Sequence, residues 1–263
     1  MTIKITQKIT LDKDYVCIGK NLMLYRYQPY FTHFIYSCYQ HREFIENYCL
    51  NDSFIKDEKI LKQDLLKKQS LPPQMLKSME WVICIKKTGE EIGLAGLVNY
   101  NAVHQSAEFL IGILPGIKQP QQSYGPEASL LVLEFAFQEI QLHKLTSLVY
   151  GYNHKAQQST LKLGFIQEGI LRHHLRDNRQ SRIKDKGKPS STEKYIDIFY
   201  NGLLKSEFYS NKKLSQISLR LFKRDITRKT NTNTKKKHIL TETLIPDLLK
   251  QLRSANPHES TSL

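Results

Sequence analysis

The segment 121–140 joins a polar turn to a strongly apolar stretch, and its first residues are suited to holding phosphate. It reads QQSYGPEASLLVLEFAFQEI, with Gly125 and Pro126 at the junction. The first N–H groups of a helix lack partners within the helix and carry a partial positive charge, so they can bind a pyrophosphate. Gly125 would let a ligand approach the backbone, and Pro126 lacks an N–H where the helix needs none. Taken alone, the pattern favours a capped helix N-terminus without a ligand.

A second candidate for chemistry is Glu108, an acid within the otherwise apolar run SAEFLIGIL at 106–114. Removal from water raises the pKa of a carboxyl group, which would suit a general base that works near neutral pH. The alternative, an outward-facing strand residue, has equal weight. His104 precedes the run and is a second candidate base, although a lone histidine near a turn is more often structural. Gly112 permits a bulge that would turn a backbone N–H away from its sheet partner.

The composition is that of a globular chain with an uneven excess of basic residues. The 263 residues are 40% hydrophobic, which is enough for a core, and the formal net charge is +14. Residues 211–238 hold ten Lys and Arg against one acid, Asp225. This stretch predicts contact with an anionic partner, which could be nucleic acid, the ribosome, an acidic protein or a membrane surface, and a solvated, disordered tail fits it at least as well. The loop at 172–194 is also basic.

Cysteine spacing and hydropathy argue against several classes of protein. The four cysteines, at positions 17, 38, 49 and 84, have no CxxC spacing, so they predict ordinary thiols and no metal site. No apolar run approaches the ~20 residues of a membrane-spanning helix, and the N-terminus lacks the apolar core of a signal peptide. No GxxxxGK[ST] nucleotide motif is present. We therefore expect a cytoplasmic protein without a metal or a membrane span.

Hydrophobic periodicity and turn signals predict an α+β domain. Its N-terminal arm covers 1–20, the main domain covers 21–208, and a basic, partly helical or disordered extension covers 209–263. Strands are predicted at 21–30, 80–87, 92–100, 106–114, 144–152, 165–175 and 195–204. Helices are predicted at 31–49, at 57–70, after Gly125, at 154–164 and at 241–253. Asn153 suits the N-cap of the fourth helix, and Gly164 suits its C-terminal cap.

The apolar positions of these elements predict a core and two amphipathic stripes. The core residues are Trp81, Ile83, Leu94, Leu97, Phe109, Ile111, Leu133, Phe137, Leu148, Phe165 and Ile198. The helix at 57–70 presents Ile60, Leu61, Leu65 and Leu66 as one stripe. In the C-terminal extension, Leu214, Ile217, Leu221 and Ile226 could pack on the main domain or on a partner.

From about 21 to 208 the chain resembles the GNAT superfamily of acyl-CoA transferases, in the branch of the RimJ/RimL-like N-terminal acetyltransferases of ribosomal proteins. Five segments carry the resemblance in the family's order: TGEEIGLAGL, AEFLIGI, SYGPEASLLVLEFAF, N…LKLGFIQEGILR and YIDIFYNGLL. The resemblance implies a twisted mixed sheet with helices on both faces. It also implies transfer of an acetyl group from acetyl-CoA to a primary amine. A protein N-terminus follows from the branch, while an amino sugar, a polyamine or an amino acid remains open.

The same resemblance implies where coenzyme A binds. The pyrophosphate would lie on the loop formed by Gln121, Gln122, Ser123, Tyr124 and Gly125. The family pattern Gln/Arg-x-x-Gly-x-Gly/Ala is matched here at Gly125 alone. Asn153 would position the cofactor arm or a water molecule.

Acetyl transfer from a thioester needs a base, a donor for the developing oxyanion and a proton for the leaving thiolate. Glu108 is expected to be the base, directly or through water. The backbone of Gly112 and Ile113 is expected to polarise the thioester carbonyl.

The proton donor is the least complete part of the resemblance. The branch often has a serine three residues after the asparagine, where this chain has Ala156. Ser159 is the first candidate for the missing donor and Tyr152 is the second. The incomplete motif leaves open an alternative function, an acyl-CoA-binding sensor or scaffold that does not catalyse transfer.

Overall fold

Eight strands form one mixed sheet in the computed structural model, which describes residues 15–49, 55, 57–70, 77–117, 124–177 and 194–229. The strands are β1 (Tyr15–Ile18), β2 (Leu22–Arg26), β3 (Met79–Ile85), β4 (Glu91–Asn101), β5 (Ser106–Ile113), β6 (Lys144–Tyr150), β7 (Ile166–Arg176) and β8 (Tyr195–Leu204). Their order is β1-β2-β3-β4-β5-β6-β8-β7. Only β5 and β6 pair in parallel among these strands, and the other neighbours are antiparallel. The predicted sheet is confirmed.

Seven α-helices cover the described sheet on both faces. They are α1 (Thr32–Gln40), α2 (Arg42–Tyr48), α3 (Glu58–Ser70), α4 (Tyr124–Glu134), α5 (His154–Lys162), α6 (Lys205–Ser210) and α7 (Lys212–Phe222). A 3-10 turn, Pro29–Phe31, precedes α1, and a π-helical turn, Phe135–Glu139, continues α4. The helix predicted at 31–49 is therefore interrupted. Its break lies at His41, which has an extended backbone and whose side chain accepts the Phe44 N–H of the next helix.

The two faces of the sheet bury separate cores, as the side-chain alternation of β5 illustrates. Ala107 and Phe109 pack with α4, α6 and α7, on what we call the α4 face. Leu110 packs with α1, α2 and α3, on what we call the α2 face. Glu108 and Gly112 lie on the α2 face, because alternate residues of a strand share one side of the sheet.

Most of the predicted core is buried, with two exceptions on β5 and β6. Ile111 and Leu148 are half-buried, whereas the other nine predicted residues are buried. The stripe predicted for α3 is narrower than expected, since Ile60 and Leu66 are about half exposed, at 55% and 50%. Leu61 and Leu65 alone turn inward from that stripe, because α3 covers the end of the α2-face core and has solvent on its other sides.

The pairing of β4 with β5 contains a bulge, but not at the predicted place. The register is regular from Val98↔Glu108 to Gly93↔Ile113, so the bulge expected at Gly112 is absent. The shift falls between Val98 and Asn101. Asn99 lies within it with a φ of +52°, a left-handed conformation that asparagine tolerates better than most residues.

The packed core continues beyond the predicted domain end at 208. Leu214 of α7 and Ile226 after it are fully buried in the α4-face core. Arg224 donates two hydrogen bonds, of 2.9 and 2.6 Å, to the carboxylate of Glu134 at the end of α4. The expectation that this apolar stripe packs on the main domain is confirmed for Leu214 and Ile226. The helix predicted at 241–253 lies outside the described residues, as does most of the basic loop at 172–194.

Candidate active site

Strands β5 and β6 pair only at their amino-terminal ends. The paired residues are Ser106↔Lys144, Ala107↔Leu145 and Glu108↔Thr146. Beyond them β5 continues alongside β4 as far as Ile113, and β6 continues alongside β8 as far as Tyr150. The carboxyl-terminal halves of two parallel neighbours thus lack mutual pairing, and we call this gap the β5–β6 opening. Ligands of α/β sheets commonly bind at the carboxyl ends of strands.

Backbone N–H groups of β5 face the β5–β6 opening. The N–H of Leu114 donates to the Ile92 carbonyl of the β4 side at 2.8 Å. Because successive residues of a strand direct their N–H groups to opposite edges, Gly112 faces β4 while Ile111 and Ile113 face the opening. Of the two predicted carbonyl-polarising residues, Ile113 therefore has its N–H on the opening side. Sequence reasoning missed Ile111, because no residue type marks which edge a backbone N–H faces.

Gly112 is needed for close packing rather than for a bulge. A Cβ atom at this position would lie 2.7 Å from ring carbons of Phe44 and of Tyr48, both on α2. These two rings are stacked, with centroids 5.0 Å apart. Helix α2 therefore rests directly on the β5 backbone beside the β5–β6 opening.

Glu108 stands at the point where the β5–β6 pairing ends. Its side chain is half-buried, and burial raises the pKa of the carboxyl group above its ordinary value. The side-chain amide of Asn99 donates to Glu108 Oε2 at 2.9 Å and partly opposes that rise. Asn99 is a second residue that sequence reasoning missed. A carboxyl with a raised pKa, next to backbone donors that face an opening, can accept a proton from a bound nucleophile.

The first turn of α4 is anchored at the same end of the sheet as the β5–β6 opening. Tyr124 begins the helix and is buried, and Glu127 is only 2% exposed. The Glu127 carboxylate accepts hydrogen bonds from the Asn21 N–H (2.7 Å), the Asn21 side-chain amide (2.8 Å) and the Leu22 N–H (3.1 Å). The strand registers place Leu22 at the end of the sheet where β5 finishes at Ile113. The unpaired N–H groups of the helix start are thus held near the opening.

The predicted phosphate-binding loop is only partly within the described residues. Gln121, Gln122 and Ser123 lie outside them, while Tyr124 and Gly125 form the start of α4. Gly125 is half-buried, and its carbonyl accepts a hydrogen bond of 2.8 Å from Ser129 Oγ. The predicted start of a helix at this junction is confirmed.

Residues at the carboxyl end of β6 contact α2. The hydroxyl of Tyr152 donates to the Glu46 carbonyl. Asn153 caps α5 as predicted, since its Oδ1 accepts the Ala156 N–H at 3.1 Å. The Asn153 amide nitrogen also donates to Asn47 Oδ1 at 2.9 Å. Both predicted residues therefore lie at the open end of β6, where they hold the helix that packs on Gly112.

The structure does not bring Ser159 beside Glu108. Ser159 is on the exposed side of α5, and its hydroxyl donates to the Lys155 carbonyl at 2.9 Å. Helix α5 packs on the α4 face through Gln157, whose amide exchanges hydrogen bonds of 2.8 and 2.9 Å with Asn201 of β8. Glu108 lies on the other face.

His104 is distant from the opening along β5. It is exposed in the turn between β4 and β5, and its N–H donates to Asn101 Oδ1 at 2.9 Å. That turn precedes Ser106, at the paired end of β5. Its position therefore gives no support to a role as base at the β5–β6 opening.

The described residues contain neither a metal-binding cluster nor a helix that could span a bilayer. No group of three or more His, Cys, Asp or Glu side chains is arranged there to hold a metal ion. No helix within the same ranges is long and apolar enough to cross a membrane. Cys17, Cys38 and Cys84 are buried thiols whose pKa is raised by loss of solvent.

Comparison with known proteins agrees with this architecture. Residues 22–166 match the family model of the acetyltransferase (GNAT) domain. The spermidine N(1)-acetyltransferase of Escherichia coli K12 is 38% identical over 94 residues, which are 36% of this chain and 50% of that protein. The uncharacterized N-acetyltransferase YoaA of Bacillus subtilis is 27% identical over 105 residues, or 40% of this chain and 58% of that protein. The chain thus spans half the length of the first relative and 58% of the second.

A solved structure of spermidine N-acetyltransferase from Vibrio cholerae, in complex with CoA and spermine, superposes with a TM-score of 0.56. It covers 71% of this chain and 97% of the other, at 22% sequence identity. That likeness establishes the fold. With the family match over more than half of its length, the chain belongs to the GNAT acetyltransferase family.

Proposed function

We propose that this chain transfers an acetyl group from acetyl-CoA to a primary amine. The observation that supports this proposal best is the position of Glu108. Its partly desolvated carboxyl group lies where the β5–β6 pairing ends and the opening begins, in a member of the GNAT family. The opening is lined by the Ile111 and Ile113 N–H groups, and the start of α4 lies at its end of the sheet. These groups fit a thioester carbonyl and a pyrophosphate, respectively.

Each part of the opening has a role in this reaction. Glu108 accepts a proton from the attacking amine, directly or through water. The N–H groups of Ile111 and Ile113 stabilise negative charge on the thioester oxygen. The start of α4, with the preceding residues 121–123, holds the pyrophosphate. Asn153 keeps the start of α5 in place at the end of β6.

A polyamine is the acceptor we place first. The relative from Escherichia coli is named a spermidine N(1)-acetyltransferase, and its match covers 36% of this chain. Helix α2, which packs beside the opening, carries the exposed Glu43, whose carboxylate would attract a cationic acceptor, while Glu46 pairs with Arg42 at 2.8 Å. A protein N-terminus, as in the RimJ/RimL-like branch, is the second acceptor class.

The direct test combines binding with turnover. Isothermal titration with acetyl-CoA should give saturable binding, and spermidine should then release coenzyme A thiol. A peptide with a free N-terminus should be assayed in parallel, since a preference for it would favour the RimJ/RimL-like branch. Glu108→Gln should lower kcat/KM by about 10²–10⁴-fold with acetyl-CoA affinity retained. Glu58→Gln on α3 is the matched control, and an equal loss in both variants would refute the role of Glu108.

An acyl-CoA-binding protein without turnover is the second candidate. It is favoured by the outward position of Ser159 and by the hydroxyl of Tyr152, which donates to the Glu46 carbonyl. Saturable acetyl-CoA binding without thiol release, across polyamines, peptides, amino sugars and amino acids, would select this function. Turnover with any of them would select the enzyme.

A docked C-terminal appendage with weak affinity for anions completes the proposal. The apolar side of α7 is used within the chain, while Lys212, Lys213, Arg220 and Lys223 are exposed. Further basic residues follow these four in the sequence up to position 238. In the predicted cytoplasmic location they would be accessible to nucleic acid. Binding of a short RNA that weakens steeply with salt would support such contact, and salt-insensitive binding would argue against it.

A further inference from the structure

Helix α2 is attached to both strands that border the β5–β6 opening. On the β5 side, the rings of Phe44 and Tyr48 occupy the space beside Gly112 that any larger residue would fill. On the β6 side, the Tyr150 hydroxyl donates to the Cys49 carbonyl at 3.0 Å, just after the helix. A helix fixed on both sides spans the α2 face of the opening.

Two residues following β6 complete this attachment through hydrogen bonds to the last turn of α2. The Tyr152 hydroxyl donates to the Glu46 carbonyl, and the Asn153 amide donates to Asn47 Oδ1 at 2.9 Å. The rings of Tyr150 and Tyr152 are stacked, with centroids 5.0 Å apart and planes 15° apart. Backbone carbonyl groups in the last turn of a helix lack partners within it, so the Tyr152 hydroxyl satisfies one that water would otherwise solvate, while Asn153 bonds a side-chain oxygen of the same turn.

The amide of Asn47 has a defined orientation in this contact. Its nitrogen donates to the Glu43 carbonyl one turn earlier at 2.8 Å, which leaves its oxygen facing Asn153. Asn153 in turn uses its own oxygen to cap α5 and its nitrogen to hold α2. One side chain thereby joins the start of α5 to the end of α2.

We infer that Tyr152 and Asn153 are positioning residues that hold α2 across the β5–β6 opening and so preform the acceptor side of the site. This inference rests on the proposed function. It differs from the expectation that Tyr152 protonates the leaving thiolate, because the Tyr152 hydroxyl donates a hydrogen bond to the backbone carbonyl of Glu46. Without these bonds α2 keeps its contacts with β5 and the Tyr150–Cys49 hydrogen bond, but its last turn loses the hydrogen bonds from Tyr152 and Asn153.

Two substitutions separate positioning from proton donation. Tyr152→Phe removes the hydrogen bond and keeps the ring. Asn153→Asp keeps an oxygen that can cap α5, and aspartate suits a helix N-terminus, but it places a second acceptor opposite Asn47 Oδ1. Tyr209→Phe is the matched control, because its hydroxyl donates to the Phe137 carbonyl at 2.9 Å on the other face of the sheet.

The experiment measures steady-state kinetics across pH and amide hydrogen exchange of residues 42–49 in the full chain. We expect Tyr152→Phe and Asn153→Asp to raise KM for the amine about tenfold, the effect of one lost hydrogen bond. The exchange of α2 should accelerate by a similar factor. Acetyl-CoA affinity and the alkaline limb of the pH profile should match those of the Tyr209→Phe control.

Two results would overturn the inference. A lower kcat with an altered alkaline limb and unchanged exchange of α2 would make Tyr152 a proton donor. If Tyr152→Phe and Asn153→Asp instead show the same kinetics and hydrogen exchange as Tyr209→Phe, the hydrogen bonds to α2 do not position it. If the unaltered chain transfers no acetyl group, the proposed function fails by itself, and hydrogen exchange still decides whether Tyr152 and Asn153 hold α2.

Discussion

Asn99, which has a left-handed backbone conformation within the β4 bulge, donates a hydrogen bond of 2.9 Å to the carboxylate of Glu108. Burial of Glu108 and this hydrogen bond have opposite effects on the pKa of its carboxyl group. Burial raises the pKa of Glu108, whereas the Asn99 hydrogen bond stabilises the charged form and lowers it. The bulge in β4 therefore adjusts the protonation of the proposed base.

Asn99→Gly should move the acidic limb of the kcat/KM profile to higher pH. The glycine accepts the positive φ and removes the hydrogen bond, so the pKa of Glu108 rises further. A base must be deprotonated to act, so activity at pH below the limb falls while the plateau at higher pH is retained. Gln105→Gly is the control, since Gln105 also has a positive φ, of +50°, in the same hairpin. If the acidic limb does not move in Asn99→Gly, the Asn99 hydrogen bond does not influence the pKa of the base.

Gly112→Ala should destabilise the fold by about 1–3 kcal/mol, the usual cost of overpacking. The new methyl group would meet the rings of Phe44 and Tyr48 at 2.7 Å, so α2 must shift away from β5. Gly169→Ala on β7 is the control, because no atom lies within 4 Å of its added Cβ. Urea unfolding measures both free energies. Equal values for the two variants would contradict the seating of α2 on Gly112.

Glu127→Ala should lower the free energy of unfolding by about 3 kcal/mol, since three hydrogen bonds to a buried carboxylate are lost. Acetyl-CoA affinity should fall as well, because the start of α4 loses its anchor on Asn21 and Leu22. Glu58→Ala is the control, as Glu58 also lies in the first turn of a helix but its side chain is 42% exposed. Denaturant unfolding and titration calorimetry give the two readouts. An acetyl-CoA affinity equal to that of Glu58→Ala would show that the anchor does not serve the site.

Truncation after Tyr209 should destabilise the whole domain, whereas truncation after Lys229 should leave its unfolding cooperative. The shorter chain loses Leu214 and Ile226, both fully buried in the α4-face core. Leu214→Ala alone should cost about 2–5 kcal/mol, while the half-exposed Leu219 should tolerate alanine within about 0.5 kcal/mol. Thermal and urea unfolding test this series. If the chain ending at Tyr209 unfolds like the full chain, α7 is not part of the core.

The order of strands and helices could be predicted from the sequence because its signals are local. Alternation and a short glycine-containing turn identify β3 and β4, and the end of α5 is marked by Gly164, which has a φ of +93°. Asn153 was identifiable as a cap because its partner, the Ala156 N–H, is three residues away. Such signals depend on backbone geometry within a few residues, so they can be recognised before the fold is known.

The tertiary structure alone decided which of these elements meet at the site. Tyr152 and Glu46 are 106 positions apart in the chain, as are Glu127 and Asn21, and nothing in either neighbourhood specifies the partner. A tyrosine hydroxyl or a carboxylate can bond many groups, so its partner is set by how the sheet and helices pack. The same holds for Gly112, whose glycine is required by the rings of α2 rather than by its own backbone. Local chemistry determined the elements, and long-range packing determined the site they form.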